Sequence, residues 1–267
     1  MKRSNAGDGA PVVAQALMLT KVSVGVYTEK KRGRSRGRMP KVLGATYLDA
    51  SWPLQDISLT ARPGEVVGIY DATGQREALL LRVMAEILRP DKGSVKPSQR
   101  TAYIAKPSKK HVRGLSLGQS IHVVSGLMGM TDAEIEQRFD DIAAAAGISK
   151  KLHQPAEDVP FSLVQQIAFC AGVRMPVQVY CFDQTLPTGS QEFKPNCLPA
   201  INELRDSGAV VAASLGKSGD IRTYVDRGLL MTGDSVLELR TTDFILEVEA
   251  AKKKKQKQRR KARRSGT

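Results

Sequence analysis

The chain has 267 residues, a net charge of +14 and 41% hydrophobic residues. That length suffices for one α/β core with a subdomain, and no run approaches the roughly 18 apolar residues of a membrane span. Lys2 and Arg3 lead into no apolar core before Asp8, which argues against a secretion signal. Cys170, Cys181 and Cys197 form no C-x-x-C pair, and His111, His122 and His153 show no ligand spacing. A disulfide framework and a zinc site are therefore disfavoured, and Cys170 and Cys181 are expected as small buried hydrophobes.

The charge is concentrated. Residues 30–41 hold seven basic groups and residues 252–264 hold ten, with no acid in either. Outside them 24 basic residues face 27 acidic ones, so the rest is slightly negative. This is a nearly neutral globule with two cationic appendages.

In chain order, residues 1–16 are small and polar and are predicted to be disordered. Residues 17–27 alternate apolar and polar and predict a strand. A basic loop follows over 28–41. Residues 54–60 alternate again, Arg62-Pro63-Gly64-Glu65 turns, and 66–70 is a buried strand. A helix over 79–88 stops before Pro90. Short strands follow near 94–96 and 101–105. From 116 to 147 the period becomes helical, with Ile121, Val124, Leu127 and Met128 on one row. Thr131 and Glu134 form a capping-box pattern, and Gly147 ends that helix. Residues 162–173 predict a helix and 177–182 an apolar strand ending at Asp183. Residues 196–206 predict a helix, 209–214 a strand, 219–226 a short helix and 227–239 a hairpin. Residues 251–267 are predicted as a disordered basic tail. Strands alternating with helices argue for an α/β fold with a parallel sheet, with a helical subdomain at about 110–170 inside a domain over 17–250.

One segment suggests chemistry. Residues 66–90 run from an apolar strand through a short turn into an apolar helix, the layout of a phosphate-binding P-loop. Set against G-x-x-x-x-G-K-[ST], Asp71 stands at the first glycine and Gly74 at the optional one. Arg76 stands at the second glycine, Glu77 at the lysine and Ala78 at the hydroxyl, with Leu79 next. A P-loop holds anions with backbone N–H groups, a helix N-terminus and the lysine cation. Unit charges about 4 Å apart interact by roughly 4 kcal/mol at an effective dielectric near 20. Exchanging cation for anion therefore swings the interaction by up to about 8 kcal/mol, the whole binding free energy of a micromolar ligand. Arg76 offsets part of this. The other reading is a strand–turn–helix with no ligand.

The order of elements resembles the ATP-binding subunit of ABC transporters, in the branch that exports polysaccharides, O-antigens and teichoic acids. The likeness covers about residues 17–240. It rests on Leu54–Leu59 with Pro63-Gly64-Glu65, on Leu79–Gly93, Leu115–Ile135 and Phe193–Gly208, and on Asp226-Arg227 followed by Gly233. It implies a P-loop NTPase fold of the ABC type: a nucleotide-binding domain with an antiparallel β subdomain and an α-helical subdomain.

The family's working residues carry over one at a time. The magnesium-binding aspartate falls on Asp183, and the catalytic glutamate beside it on Gln184, an amide that cannot take a proton from water. The signature loop falls on Val159–Gln165, with Phe161, Ser162 and Leu163 at its centre. The switch histidine falls on Leu215, and the adenine-stacking aromatic on Tyr27. Asp183 alone is retained, and its other reading is an N-cap or turn residue at a strand end. The resemblance implies ATP and Mg as cofactors; the substitutions argue against their ordinary binding and against hydrolysis.

Three functions stand at this point. The first is a catalytically impaired ABC subunit at the inner face of the cell membrane. It would act in a homo- or heterodimer with a competent ATPase and a membrane permease. The second is a cationic binding module whose tail holds anionic lipid or nucleic acid, with a strong salt dependence; the tail has no aromatic residues for base stacking. The third is a working ATPase with a non-standard P-loop.

Overall fold

The computed structural model describes residues 17–29, 48–72, 76–97, 100–232 and 235–265. Most of the basic loop 28–41 and the whole N-terminal segment 1–16 lie outside the described residues, as does Gly74.

Two sheets share the fold. Strands β1 (Leu17–Glu29), β2 (Leu48–Ala61) and β4 (Lys92–Pro97) form an antiparallel sheet in the order β2-β1-β4. The second sheet has six strands. They are β3 (Val66–Asp71), β5 (Thr101–Ala105), β6 (Val179–Asp183), β7 (Val210–Ser214), β8 (Arg227–Thr232) and β9 (Ser235–Arg240). Their order is β5-β6-β7-β3-β8-β9, parallel throughout except for β9, which returns antiparallel along β8.

The central strands are buried on both faces, as a parallel sheet covered on two sides requires. Side chains alternate between faces with period 2. In β3, Val66 and Tyr70 enter one core while Val67 and Ile69 enter the other. The first core lies under the helices: α2 (Leu117–Leu127), α3 (Asp132–Ala145), α4 (Phe161–Gly172), α5 (Cys197–Asp206) and α6 (Ser218–Tyr224). The second lies between the two sheets around α1 (Arg76–Met84), with Leu17, Leu54, Leu80, Val210 and Leu229 all buried.

The expected elements are present with shifted ends. The helix predicted at 79–88 starts at Arg76 and ends early, at Met84; Glu86 then takes φ +56°, before Pro90 is reached. On the predicted helical row Ile121 and Val124 are buried, but Leu127, in the last turn of α2, is 63% exposed. The helical segment α2–α4 packs on itself and joins the first core. All three cysteines are buried and unpaired.

The Thr131 capping box forms. The Thr131 hydroxyl accepts from the Glu134 N–H at 3.3 Å, and the Glu134 carboxylate accepts from the Thr131 N–H at 2.9 Å. Arg100 clamps the same carboxylate, with one contact at 2.5 Å, and with the cap holds its pKa down at about 2. Thr131→Ala is expected to lower stability by about 1 kcal/mol, read by denaturant unfolding.

The C-terminal region departs from expectation. Residues 241–265, including the stretch predicted as a disordered tail from 251, form one helix, α7 (Thr241–Ser265). Two causes act together. Ala, Glu, Lys, Gln and Arg are all strong helix formers, and Phe244, Ile245 and Val248 bury one face of the first turns in the core. The Phe244 ring lies over Gly228 of β8, where an added Cβ would overlap it, and its edge reaches Gly68 of β3. The two glycines are the hole into which this ring fits.

Candidate functional site: a cleft at the carboxyl ends of the parallel strands

Strands β3, β6 and β7 run parallel and end together, bringing Asp71, Asp183 and Ser214 to one edge of the sheet. Ligand sites of open α/β sheets lie at this edge. A cleft of about 390 Å³ opens there, lined among others by Asp71, Glu77, Gln184, Leu215, Lys252 and Lys255.

Its floor is acidic. Asp71 is 2% exposed and Glu77 is 6% exposed. Glu77 sits in the first turn of α1, which begins at Arg76, five residues after β3 ends at Asp71. Its carboxylate accepts from the Asp71 N–H at 2.5 Å. Burial pushes the Glu77 carboxyl up to about 7, and the charges of Asp71 and Asp183 add to the rise. The Asp71 hydrogen bond and the Lys255 charge act the other way. Arg76 turns toward the sheet: its Nη2 donates to the Asp71 carboxylate at 2.7 Å and to the Met231 carbonyl at 3.0 Å. The guanidinium that was expected to offset the lost lysine is thus engaged with a buried aspartate.

At the next strand end, Asp183 accepts from the Tyr103 hydroxyl at 2.6 Å through one oxygen and from the Ser214 hydroxyl at 3.3 Å through the other. Arg82 donates to the same Tyr103 oxygen at 3.3 Å. Burial and the bond to Asp183 push the Tyr103 phenol up to about 12, so it stays a donor. Gln184 takes a left-handed φ of +53°, and its N–H donates to Ser214 Oγ at 2.8 Å. Leu215 is 4% exposed, and its N–H donates to the Ile69 carbonyl at 3.2 Å.

The structure thus brings Asp183, Gln184, Leu215, Arg76 and Glu77 to one edge. Ala78 and Leu79 follow in the first turn of α1, and Leu79 packs against the second core. It does not bring Phe161, Ser162 or Leu163 there. They open α4, where Phe161 lies under Lys109 and Leu163 packs on the first core. Tyr27 lies on β1 opposite Ala50, and its side chain falls outside the described residues.

Magnesium nucleotide asks for a cation at the loop lysine and oxygen ligands for the metal. Position 77 carries a buried carboxyl, Ala78 carries no oxygen, and both Asp183 oxygens hold protein donors. Among the described residues no group of three or more His, Cys, Asp or Glu side chains is placed to hold a metal ion. The residues present do not fit this ligand.

Sequence reasoning missed four members of the site. Tyr103 and Ser214 hold Asp183, while Lys252 and Lys255 come from α7. The signal for the last two was available: Phe244, Val248, Lys252 and Lys255 recur every three or four residues along one helix face.

No protein-family model matches the chain. Among curated proteins it is 23% identical over 184 residues to the ABC transporter protein AbcA of Aeromonas salmonicida, covering 69% of this chain and 60% of that one. It is 24% identical over 197 residues to the teichoic acids export ATP-binding protein TagH of Levilactobacillus brevis, covering 73% and 54%. It is 21% identical over 195 residues to the O-antigen export system ATP-binding protein RfbB of Klebsiella pneumoniae, covering 73% and 79%. The similarity thus spans little more than half the length of the first two. Among solved structures, a nucleotide-free ATP-binding cassette from an ABC transporter superposes with a TM-score of 0.63 at 12% identity, covering 89% of this chain and 96% of that one. An ATP-binding subunit of an ABC transporter gives 0.62 at 16% identity, covering 85% and 91%. The chain has the fold of an ABC-type ATP-binding cassette, and its sequence relatives are ATP-binding subunits of teichoic acid and O-antigen export systems.

Proposed function

We propose that this chain is the cassette subunit of an ABC-type exporter of polysaccharide or teichoic acid, and that its own nucleotide site is catalytically impaired. The exporter branch is supported by the sequence relatives. The impairment is carried by one observation: a buried glutamate, Glu77, stands in the first helical turn where the family places its phosphate-binding lysine. Gln184 and Leu215 at the neighbouring strand ends offer no general base and no switch imidazole.

In this reading the chain pairs with a second cassette that binds ATP and seats on a membrane permease at the inner membrane face. Among the described residues no helix is long and apolar enough to cross a membrane. One competent site suffices to bias such a pair between two states, because only differential nucleotide binding is needed.

The test is calorimetry of Mg-ATP with the purified chain and with Glu77→Lys. The native chain is expected to show no binding, and the variant is expected to gain it. Micromolar binding by the native chain would overturn the impairment and favour the working ATPase with a non-standard P-loop.

A second reading draws on exposed Lys253, Lys254, Lys257 and Arg260 on α7, which present a cationic face to solvent. Such a face suits the anionic leaflet beside a permease. Binding to anionic liposomes that weakens steeply with salt supports it; equal binding to neutral liposomes removes it.

A further inference from the structure

Helix α7 does not end where its apolar face ends. Thr241 starts it by donating to the Asp226 carbonyl at 2.7 Å, and Phe244, Ile245 and Val248 seat its first turns in the core. One turn on, the Glu249 carboxylate accepts from the Ser218 hydroxyl of α6 at 2.6 Å. The same face then becomes cationic. Lys252 donates to the Gly216 carbonyl beyond β7, and Lys255 donates to the Ala72 carbonyl beyond β3 at 2.6 Å. These two carbonyls stand on the two loops that bracket the cleft, and both lysines line it.

Three physical points give these contacts weight. First, residues 252–255 are four successive lysines, and like charges three or four apart weaken a helix. This half of α7 buries no large apolar side chain, so its anchors must offset that repulsion. Second, the cleft floor carries Asp71, Glu77 and, beside them, Asp183, and Arg76 pairs with Asp71. Lys255 brings a positive charge to the side of Glu77 that faces the cleft, so the cation missing from the loop is returned by the helix. Third, Lys252 and Lys255 line the cleft while Lys253, Lys254 and Lys257 do not, and Lys255 alone of the five is half-buried, so the lysines that reach the cleft are set apart from their neighbours by helical phase and not by composition.

We propose that the cleft at the ends of β3 and β7 is a socket for the chain's own C-terminal helix, latched by Lys252 and Lys255 over the acidic floor of Asp71 and Glu77. The site that the cassette fold offers to a free anionic ligand is closed by an intramolecular cation. The socket fixes the direction in which the remaining basic residues of α7 leave the domain.

Amide hydrogen exchange of the full chain, without nucleotide, tests this. In Lys252→Ser/Lys255→Ser the amides of residues 250–258 are expected to exchange at least about tenfold faster, while those of 241–248 keep their protection. Glu77→Lys sets a cation beside Lys255 and is expected to release the same segment. Lys253→Ser/Lys254→Ser removes the same charge from the exposed side and is expected to leave exchange unchanged or slower. The socket is overturned by native-like exchange in both latch variants, or by equal acceleration in the control pair. Because no nucleotide is present, these outcomes are independent of the Mg-ATP titration. The helix can be latched whether or not that titration reveals binding.

Discussion

Replacing Phe244 by alanine is expected to lower the stability of the whole domain by about 3–5 kcal/mol. The ring is fully buried and fills the hole left by Gly228 and Gly68 on neighbouring strands. Its removal leaves a cavity that a sheet backbone cannot collapse to fill. The reverse change, Gly228→Ala, puts a methyl group into the ring and is expected to be similarly severe through overpacking. Urea unfolding reads both, as a fall in midpoint with an unchanged slope. A loss below about 1 kcal/mol in Phe244→Ala would mean that α7 is not part of the folded core. The measurement matters for function because every contact of Lys252 and Lys255 with the cleft depends on how Phe244 seats the helix.

Glu77→Gln is expected to change the pH dependence of stability rather than stability alone. The Glu77 carboxyl rises from an ordinary 4.5 to about 7, chiefly through burial. Below pH 4.5 it is protonated in both folded and unfolded chains and contributes no difference. Between 4.5 and 7 the unfolded chain loses the proton while the folded chain keeps it, so the folded state weakens as pH rises. Above 7 the penalty is complete, at roughly 3 kcal/mol for such a shift. Glutamine is neutral throughout and still offers an oxygen to the Asp71 N–H. The variant and the native chain should therefore have similar stability at pH 4.5, with the variant ahead by up to roughly 3 kcal/mol at pH 8. The groups facing Glu77 are Asp71, Asp183, Tyr70 and Lys255. Neutralising Lys255 should enlarge the difference, because its charge favours the ionised carboxylate. Urea unfolding at the two pH values checks this, and a gap that does not change with pH would rule out a titrating Glu77.

Much of the fold was legible because the sequence repeats its periods clearly. Residues 66–70, 177–182 and 209–214 are short apolar runs bounded by turn signals, and each became a strand buried on both faces. Thr131 with Glu134 located the start of α3 to the residue. The order of these elements identified the cassette architecture, and the residue types at positions 77, 184 and 215 are what the proposed impairment rests on.

The sequence could not show which groups from distant parts of the chain meet at the site. Tyr103 and Asp183 are 80 residues apart, and they touch only because β5 pairs with β6 in register. Arg76 looked able to replace the missing lysine, but the geometry of β8 gives it the Met231 carbonyl, and the buried Asp71 holds it there. The basic tail looked disordered because its composition is polar. Its fate rests on a ring 8 to 11 residues upstream, which anchors the helix and sets the phase that turns Lys252 and Lys255 toward the cleft. Local composition determines what a segment is able to become, and periodicity determines its secondary structure. Which charges share a cleft is decided by packing between elements far apart in sequence, and that packing exists only in the folded chain.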